Sequence, residues 1–324
     1  MKVLVTGASG YIGGQTAIQL KDQGHEVYGL DIRPLPKHLI KLELFSEFAQ
    51  DNFASNDALT WIANHNFDAI IHCAGTSLVG PSMTNPQLYY ANNFVRTQRL
   101  VDHLMLAKWK GRFIFSSSAA TYGTPVITPC QEVDPTEPIS PYGESKLMIE
   151  WMLKSYNRAY DFDFVALRYF NACGADPQAR HGQEPGATHI IARVLENYKA
   201  GTDFVCNGND YETPDGTCIR DYVHVADIAD AHILSLNQLL VPRGIYNLGT
   251  AQGISNLEVM LTAAHVLKSE FACVYGPKRE GDPAVLTADP AKFVSTANWQ
   301  PKYNLTQVIE HAWAWYNEIG RAHV

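Results

Sequence analysis

Six cysteines, at positions 73, 130, 173, 206, 218 and 273, are all that this 324-residue chain offers for sulfur chemistry. They lie far apart, with no Cys-x-x-Cys pair and no nearby cluster of histidines, so neither a disulfide framework nor a zinc site is expected and the thiols are read as reduced. No apolar run approaches the ~18 residues of a membrane span. The N-terminal stretch has no charged leader and no cleavage site, which reads as a cytoplasmic protein. Basic charge is also short: Lys and Arg number 25 against 33 Asp and Glu, for a net charge of −8. That balance argues against nucleic acid as the main partner. Internal repeats, low-complexity tracts and charged tails are absent.

What remains is a chain with 46% hydrophobic residues, enough for a sizeable core and, at this length, for two lobes. Met1 to Thr6 reads as an apolar strand. It runs into Gly7-Ala8-Ser9-Gly10-Tyr11-Ile12-Gly13 and then the periodic Ala17, Ile18 and Leu20. Strand, glycine turn and helix in that order suit a pyrophosphate, because glycines let backbone amides approach phosphate at a helix N-terminus. A second strand, His25 to Leu30, ends at Asp31, near the spacing at which an acid hydrogen-bonds a ribose 2′-hydroxyl. This favours NAD over NADP; Arg33 keeps the second open, although Asp31 would repel a 2′-phosphate. Further strands are expected at Phe48 to Gln50, Asp68 to Cys73 and Arg112 to Phe115, with helices at Asp57 to Asn64 and Gln87 to Ala107. The small pair Ala74-Gly75 closes the second of these strands, and the serines 116 to 118 follow the last. The order predicts a doubly wound parallel α/β sheet, the Rossmann arrangement, in which ligands sit at the carboxyl edge.

Ser140-Pro141-Tyr142-Gly143-Glu144-Ser145-Lys146 stands out beyond that frame. Pro141 suits the first turn of a helix, and a spacing of four puts Tyr142 and Lys146 on one face. A lysine cation about 6 Å away at an effective dielectric near 20 favours the phenolate by roughly 3 kcal/mol, about two pKa units. Tyr142 is therefore expected to be a depressed phenol and a general base. A bare Tyr-x-x-x-Lys match is usually only an amphipathic helix start; here the nucleotide-type frame around it gives it weight.

The motifs TGASGYIGG, IIHCAG, YYANN, FIFSSSAATYG, SPYGESK and LRYFN, followed by GNDYETPDGT, RDYVHVADIADAH, YNLGT and REGDPAVLTADP, occur in the order found in extended short-chain dehydrogenase/reductases. Over nearly the whole chain the sequence resembles the UDP-sugar 4-epimerase branch of that family. The resemblance implies a tightly held NAD, regenerated each turnover, and interconversion of UDP-galactose and UDP-glucose through a 4-keto sugar. It makes Tyr142 the base, Lys146 its activator and nicotinamide-ribose anchor, and Ser118 the partner of the reacting oxygen. Cofactor contacts implied are Gly7, Gly10, Tyr11, Ile12, Gly13, Asp31, Asp51, Asn52, Ala74, Gly75, Asn92 and Tyr169, together with Tyr142 and Lys146. Substrate contacts implied are Asn171, His189, Arg220, Tyr222, Arg279, Asp282 and Leu286, besides Ser118 and Tyr142. Arg220 and Arg279 are cations suited to a diphosphate, and Asp282 to a ribose hydroxyl. His224 and His232 are read as structural.

The resemblance also implies an NAD-binding unit over 1–172 plus about 220–249, and a UDP-sugar-binding lobe over 173–219 and 250–324. A homodimer is expected through the helix that starts at Tyr142, because Leu147, Met148, Trp151 and Met152 populate a face beyond the one that Ile149 and Leu153 continue. The sequence departs from the branch at two places. Thr76-Ser77 stands where a lysine is usual, and Leu286 where a tyrosine often lines the sugar pocket. Dehydratases of this fold carry an Asp-Glu pair, and decarboxylases a glutamate, soon after the serine; Ala119-Ala120 offers neither. A 4-keto reductase would release NADPH, which Asp31 disfavours, and non-catalytic relatives tend to lose the serine, tyrosine and lysine that stand here.

Overall fold

The computed structural model describes residues 1–269, 273–278 and 282–322. The chain runs β1 (Lys2–Thr6), α1 (Tyr11–Asp22), β2 (Glu26–Asp31), α2 (Lys37–Lys41), β3 (Glu47–Gln50), α3 (Asn56–His65) and β4 (Ala69–His72). Then come α4 (Val79–Thr84), α5 (Pro86–Tyr89), a π-helical stretch (Tyr90–Val95), α6 (Arg96–Leu106), β5 (Arg112–Ser118), α7 (Pro141–Tyr160) and β6 (Phe164–Tyr169). The remainder is β7 (Asn171–Cys173), α8 (Ile190–Ala200), β8 (Phe204–Asn207), β9 (Ile219–Arg220), β10 (Tyr222–His224), α9 (Val225–Leu234) and β11 (Gly244–Leu248). It closes with β12 (Ile254–Ser255), α10 (Asn256–Leu267), β13 (Cys273–Gly276), β14 (Val285–Leu286), α11 (Ala291–Ala297) and α12 (Leu305–Ala322).

Seven strands form one parallel sheet in the order β11-β6-β5-β4-β1-β2-β3. Both faces are covered, and the alternation of side chains along each strand divides the core in two. Val3, Val5, Ala69, Ile71, Ile114, Val165 and Leu167 pack with α1 and α9 on one face. Leu4, Ile70, Phe113, Phe115, Phe164 and Ala166 pack with α3, α6 and α7 on the other. A third core joins α8, α10 and α12. Val308, Ile309, Ala312 and Tyr316 of α12 belong to it, so that helix packs as core. No helix among the described residues is long and apolar enough to cross a membrane.

Three expectations need correction. The helix expected over Gln87 to Ala107 is broken by the π-helical stretch at Tyr90–Val95, a winding that is rare and gathers at functional sites. The strand expected over Arg112 to Phe115 runs three residues further, so that the serines 116 to 118 are the end of β5, paired with Leu167, Arg168 and Tyr169 of β6. On α7, Leu147 and Met152 are buried within the chain itself, because the sheet and its neighbouring helices reach further round the helix than the spacing suggested. Only Trp151, 55% exposed, and the half-buried Met148 are left of that face.

One carboxylate ties α9 to the segment before α12. Asp227 is fully buried; its Oδ2 accepts from the Lys302 backbone N–H at 3.0 Å, and its Oδ1 has no hydrogen-bond partner among the described residues. Burial, aided by nearby Asp230, pushes its pKa up to about 7 against backbone N–H groups that lower it. Because the folded pKa lies above the ordinary carboxylate value, the stability this group contributes is full below about pH 4 and is lost as pH rises towards 7. Asp227→Asn is therefore expected to shift the thermal midpoint more favourably, relative to wild type, at pH 8 than at pH 5. Equal shifts at the two pH values would show that the carboxyl is not held near neutrality.

Candidate active site

The glycine turn after β1 is packed against the end of β4. Gly7 adopts φ +73°, and a Cβ on it would lie 2.7 Å from the Ala74 backbone nitrogen; one on Gly13 would lie 2.2 Å from the Gly7 carbonyl oxygen. Only glycine fits at either place. No side chain caps the start of α1 at Gly10, so the first-turn N–H groups of Tyr11, Ile12 and Gly13 face the cradle as a pyrophosphate requires. Asp31 closes the neighbouring strand. It is 8% exposed, and its carboxylate accepts from the backbone N–H of Ser9 at 3.0 Å and of Arg33 at 2.9 Å. The Arg33 guanidinium is drawn towards this carboxylate, 3.7 Å away. A fixed acid beside a glycine cradle fits a ribose diol and opposes a 2′-phosphate.

Asp51 and Asn52 follow β3 and organise the turn into α3. Asp51 accepts from the Asn52 N–H and the Ser55 hydroxyl, and Asn52 accepts from Ala54 N–H. Gly75, with φ +155°, sits where a Cβ would lie 3.0 Å from Asn93 Oδ1 and 3.8 Å from Lys146 Nζ. The π-helical stretch delivers its asparagines here. Asn92 donates to Thr76 Oγ1 at 3.1 Å. Asn93, 1% exposed, accepts from Thr76 N–H at 2.7 Å and donates to Thr76 O and Ser145 Oγ. Asn93 thus ties the loop carrying Ala74 and Gly75 to the first turn of α7; the sequence reading noted it without assigning it a site, and its only signal was a second amide beside Asn92.

On α7, Ser140 caps the helix by accepting from Gly143 N–H at 3.2 Å, and Pro141 opens it. Lys146 is 5% exposed. Its Nζ donates to Ser116 O at 2.8 Å and lies 4.9 Å from the centre of the Phe115 ring and 5.9 Å from that of Tyr142. Burial lowers its pKa to about 8, opposed by Cys73 and Glu150. Tyr142 meets Tyr89 edge to face at 6.4 Å. Its pKa is raised, first by burial, while a hydrogen bond from the Ser118 hydroxyl lowers it. The expected depression is thus not a property of the protein's own groups: desolvation of the phenol outweighs a lysine that spends one N–H on Ser116 and faces Phe115 as well. Ser118 Oγ accepts from Ala120 N–H at 3.1 Å, which leaves its own proton free to donate.

Tyr169 ends β6 in register with Ser118. Asn171 begins β7, its N–H donating to Asp221 O. Arg220 is buried on β9 with Nη2 3.5 Å from Asp282, and that nitrogen has no hydrogen-bond partner among the described residues. Leu286 pairs with Arg220 in the sheet and packs on the cluster containing Ala119, Tyr122 and Phe170, which places it beside Ser118. Tyr222 is 4% exposed in the third core, and its hydroxyl donates to Asn256 at 3.2 Å. His189 stands exposed ahead of α8 and caps nothing. Arg279 lies outside the described residues. Among those described, no cluster of His, Cys, Asp or Glu is arranged to hold a metal ion.

A glycine cradle, an acid closing the second strand and a Ser-Tyr-Lys set on one sheet edge define a nucleotide-dependent redox enzyme of the short-chain type. The chain belongs to the NAD dependent epimerase/dehydratase family, whose model matches residues 3–249. It is 41% identical to a UDP-glucose 4-epimerase of Halalkalibacterium halodurans, over 98% of this chain and 96% of that one. The crystal structure of UDP-glucose 4-epimerase from Stenotrophomonas maltophila, with bound NAD and formylated UDP-arabinopyranose, matches with TM-score 0.93 and 31% identity over 99% of each chain. The UDP-Glc/GlcNAc 4-epimerase from Campylobacter jejuni matches with TM-score 0.83 and 36% identity over 98% of this chain and 99% of that one.

Proposed function

We propose that the chain interconverts UDP-glucose and UDP-galactose with a retained NAD, on the strength of one observation above all: Ser118, Tyr142 and Lys146 meet at the carboxyl edge of the sheet beside the glycine cradle. When bound, NAD supplies a hydride acceptor that becomes the donor in the return step. The chain's residues do the rest. Tyr142, as the phenolate, takes the proton of the sugar 4-hydroxyl and gives it back, while Ser118 donates a hydrogen bond to the reacting sugar oxygen. Lys146, still largely protonated at pH 7 with its pKa about 8, together with the cation of an oxidised nicotinamide favours the Tyr142 phenolate over the buried phenol before that proton is taken. Residues 1–172 with 220–249 hold the cofactor, and the rest of the chain holds the nucleotide sugar. Arg220, whose Nη2 makes no hydrogen bond among the described residues and faces Asp282 at 3.5 Å, suits a phosphate oxygen; the resemblance assigns Arg279 to the same diphosphate and Asp282 to a ribose hydroxyl. The resemblance assigns Asn171 and His189 to the sugar.

The test is to incubate purified protein, with no NAD added, with UDP-glucose and to identify the product. UDP-galactose is expected, and Tyr142→Phe should lower turnover by about 10²- to 10⁴-fold while leaving UDP affinity intact. Near-normal turnover in the Phe variant removes the base assignment. Dependence on added NAD would remove the claim of retention and point to Ser77, where relatives of this branch carry a lysine.

Leu286 bears on substrate range. It is smaller than tyrosine, lacks its hydroxyl and borders the Ser118 side of the cleft, so the N-acetylhexosamine pair should be accepted as well. An apolar wall discriminates by only about 1–3 kcal/mol per methylene, which gives graded preference. Wild type is expected to turn over UDP-N-acetylglucosamine, and Leu286→Tyr to lose that activity preferentially. A wild type inert to that sugar, or a tyrosine variant equally active on it, contradicts the assignment.

The proposed assembly is a homodimer. Trp151 on α7 and Val95 and Leu106 on the adjacent π-helical stretch and α6 are 55%, 55% and 81% exposed, an apolar margin that a second copy would cover. Sedimentation at micromolar concentration should give the mass of two chains. A strictly single-chain mass contradicts it.

A further inference from the structure

Four polar side chains are knotted together beneath the reactive edge, and one of them, His232, has no part in the chemistry above. His232 is on α9 and fully buried. Its Nδ1 lies 3.0 Å from Ile228 O, one turn back in its own helix. A carbonyl only accepts, so Nδ1 carries the ring proton and Nε2 is left as a bare acceptor. Facing Nε2 are Tyr169 Oη at 3.2 Å and Ser116 Oγ at 3.4 Å. Ser116 directs its hydroxyl to Cys73 Sγ at 3.1 Å, so Tyr169 is the donor to the histidine. Burial, which lowers the His232 pKa to about 4, keeps the ring neutral and this donor order fixed.

The consequence falls on Tyr169. Its one proton is committed inward, so towards the cleft its oxygen offers lone pairs. The Tyr169 backbone ends β6 in register with Ser118, and the phenol is within electrostatic reach of Cys73 and Tyr142. Resting on the reading of this cleft as an NAD site, we infer that His232 is a positioning residue that makes Tyr169 a hydrogen-bond acceptor for the carboxamide N–H of the nicotinamide. The other N–H-bearing part of the cofactor, the adenine, belongs at the far end of the sheet edge by Asp31. A phenol left to rotate would as readily present its proton to the carboxamide oxygen, and the orientation of the ring would no longer be set.

The two ends of the imidazole are separable by substitution. In His232→Asn the amide nitrogen replaces Nδ1 and keeps the bond to Ile228 O but offers Tyr169 nothing; in His232→Gln the terminal oxygen replaces Nε2 as acceptor. The measurement is the rate at which labelled NAD exchanges out of the holoprotein, with UDP affinity measured in parallel by calorimetry. His232→Asn and Tyr169→Phe should each speed exchange by about tenfold, the worth of one hydrogen bond. The double variant should be no faster than either single one, His232→Gln should stay within about twofold of wild type, and UDP affinity should be unchanged throughout. Wild-type exchange in His232→Asn or in Tyr169→Phe overturns the inference, as does a double variant whose effect is the product of the two. If His232→Asn does not fold, Tyr169→Phe and His232→Gln carry the test alone. A wild type that neither carries nor takes up NAD overturns the reading of the cleft instead, and the wild-type arm tells that failure apart.

Discussion

Lys146 brings an ammonium into a place where 5% of its surface meets solvent, and much of the architecture at the sheet edge answers that charge. Its fall to a pKa of about 8 from an ordinary value of 10.5 corresponds to a penalty of about 3 kcal/mol on the charged form relative to water. Without Cys73 and Glu150, the latter one turn along the helix, the penalty would be larger. Glu150 is itself fixed by Arg168, which donates to it at 2.9 and 2.6 Å, so β6 and α7 are locked together below the reacting groups. The cation and the strand that carries Ser116 to Ser118 are therefore held as a unit, and Tyr142 is presented at a fixed offset from both.

The second constraint is close approach. Gly7 and Gly13 leave room for no side chain because the turn lies against Ala74 at the end of β4, and Asn93 then fastens the loop beyond Ala74 to the start of α7. A cradle for phosphate and a base for a sugar hydroxyl are in this way connected by backbone and one buried amide. The π-helical winding is what lets Asn92 and Asn93 both reach Thr76, and with it the cofactor loop and the catalytic helix share a support.

The parts of this arrangement that sequence made legible are those with local signals. The strand, glycine turn and helix at the start, Asp31 at a strand end, and the four-residue step from Tyr142 to Lys146 all lie where their spacing predicts. The π-helical stretch does not, since its asparagines are held by Thr76 in the loop after β4, a contact that no local spacing signals. For Tyr222 the motif names a residue without saying to which side its strand turns it, and the burial of its ring in the third core has no local signal. Leu147 and Met152 were assigned to a partner chain because periodicity marks an apolar face but not what covers it. The Tyr142 pKa went the other way because a pairwise charge estimate contains the attraction and omits the desolvation. His232 looked structural for want of a visible partner, and Tyr169 is 63 residues away in the chain.

The central claim is that the sugar's own hydrogen leaves carbon 4 and returns to the opposite face within one closed site. UDP-glucose carrying deuterium at carbon 4, converted in ordinary water and examined by mass spectrometry and NMR, tests it most directly. The account predicts UDP-galactose with the deuterium still at carbon 4 and none transferred between substrate molecules. Loss of the label to solvent would contradict it.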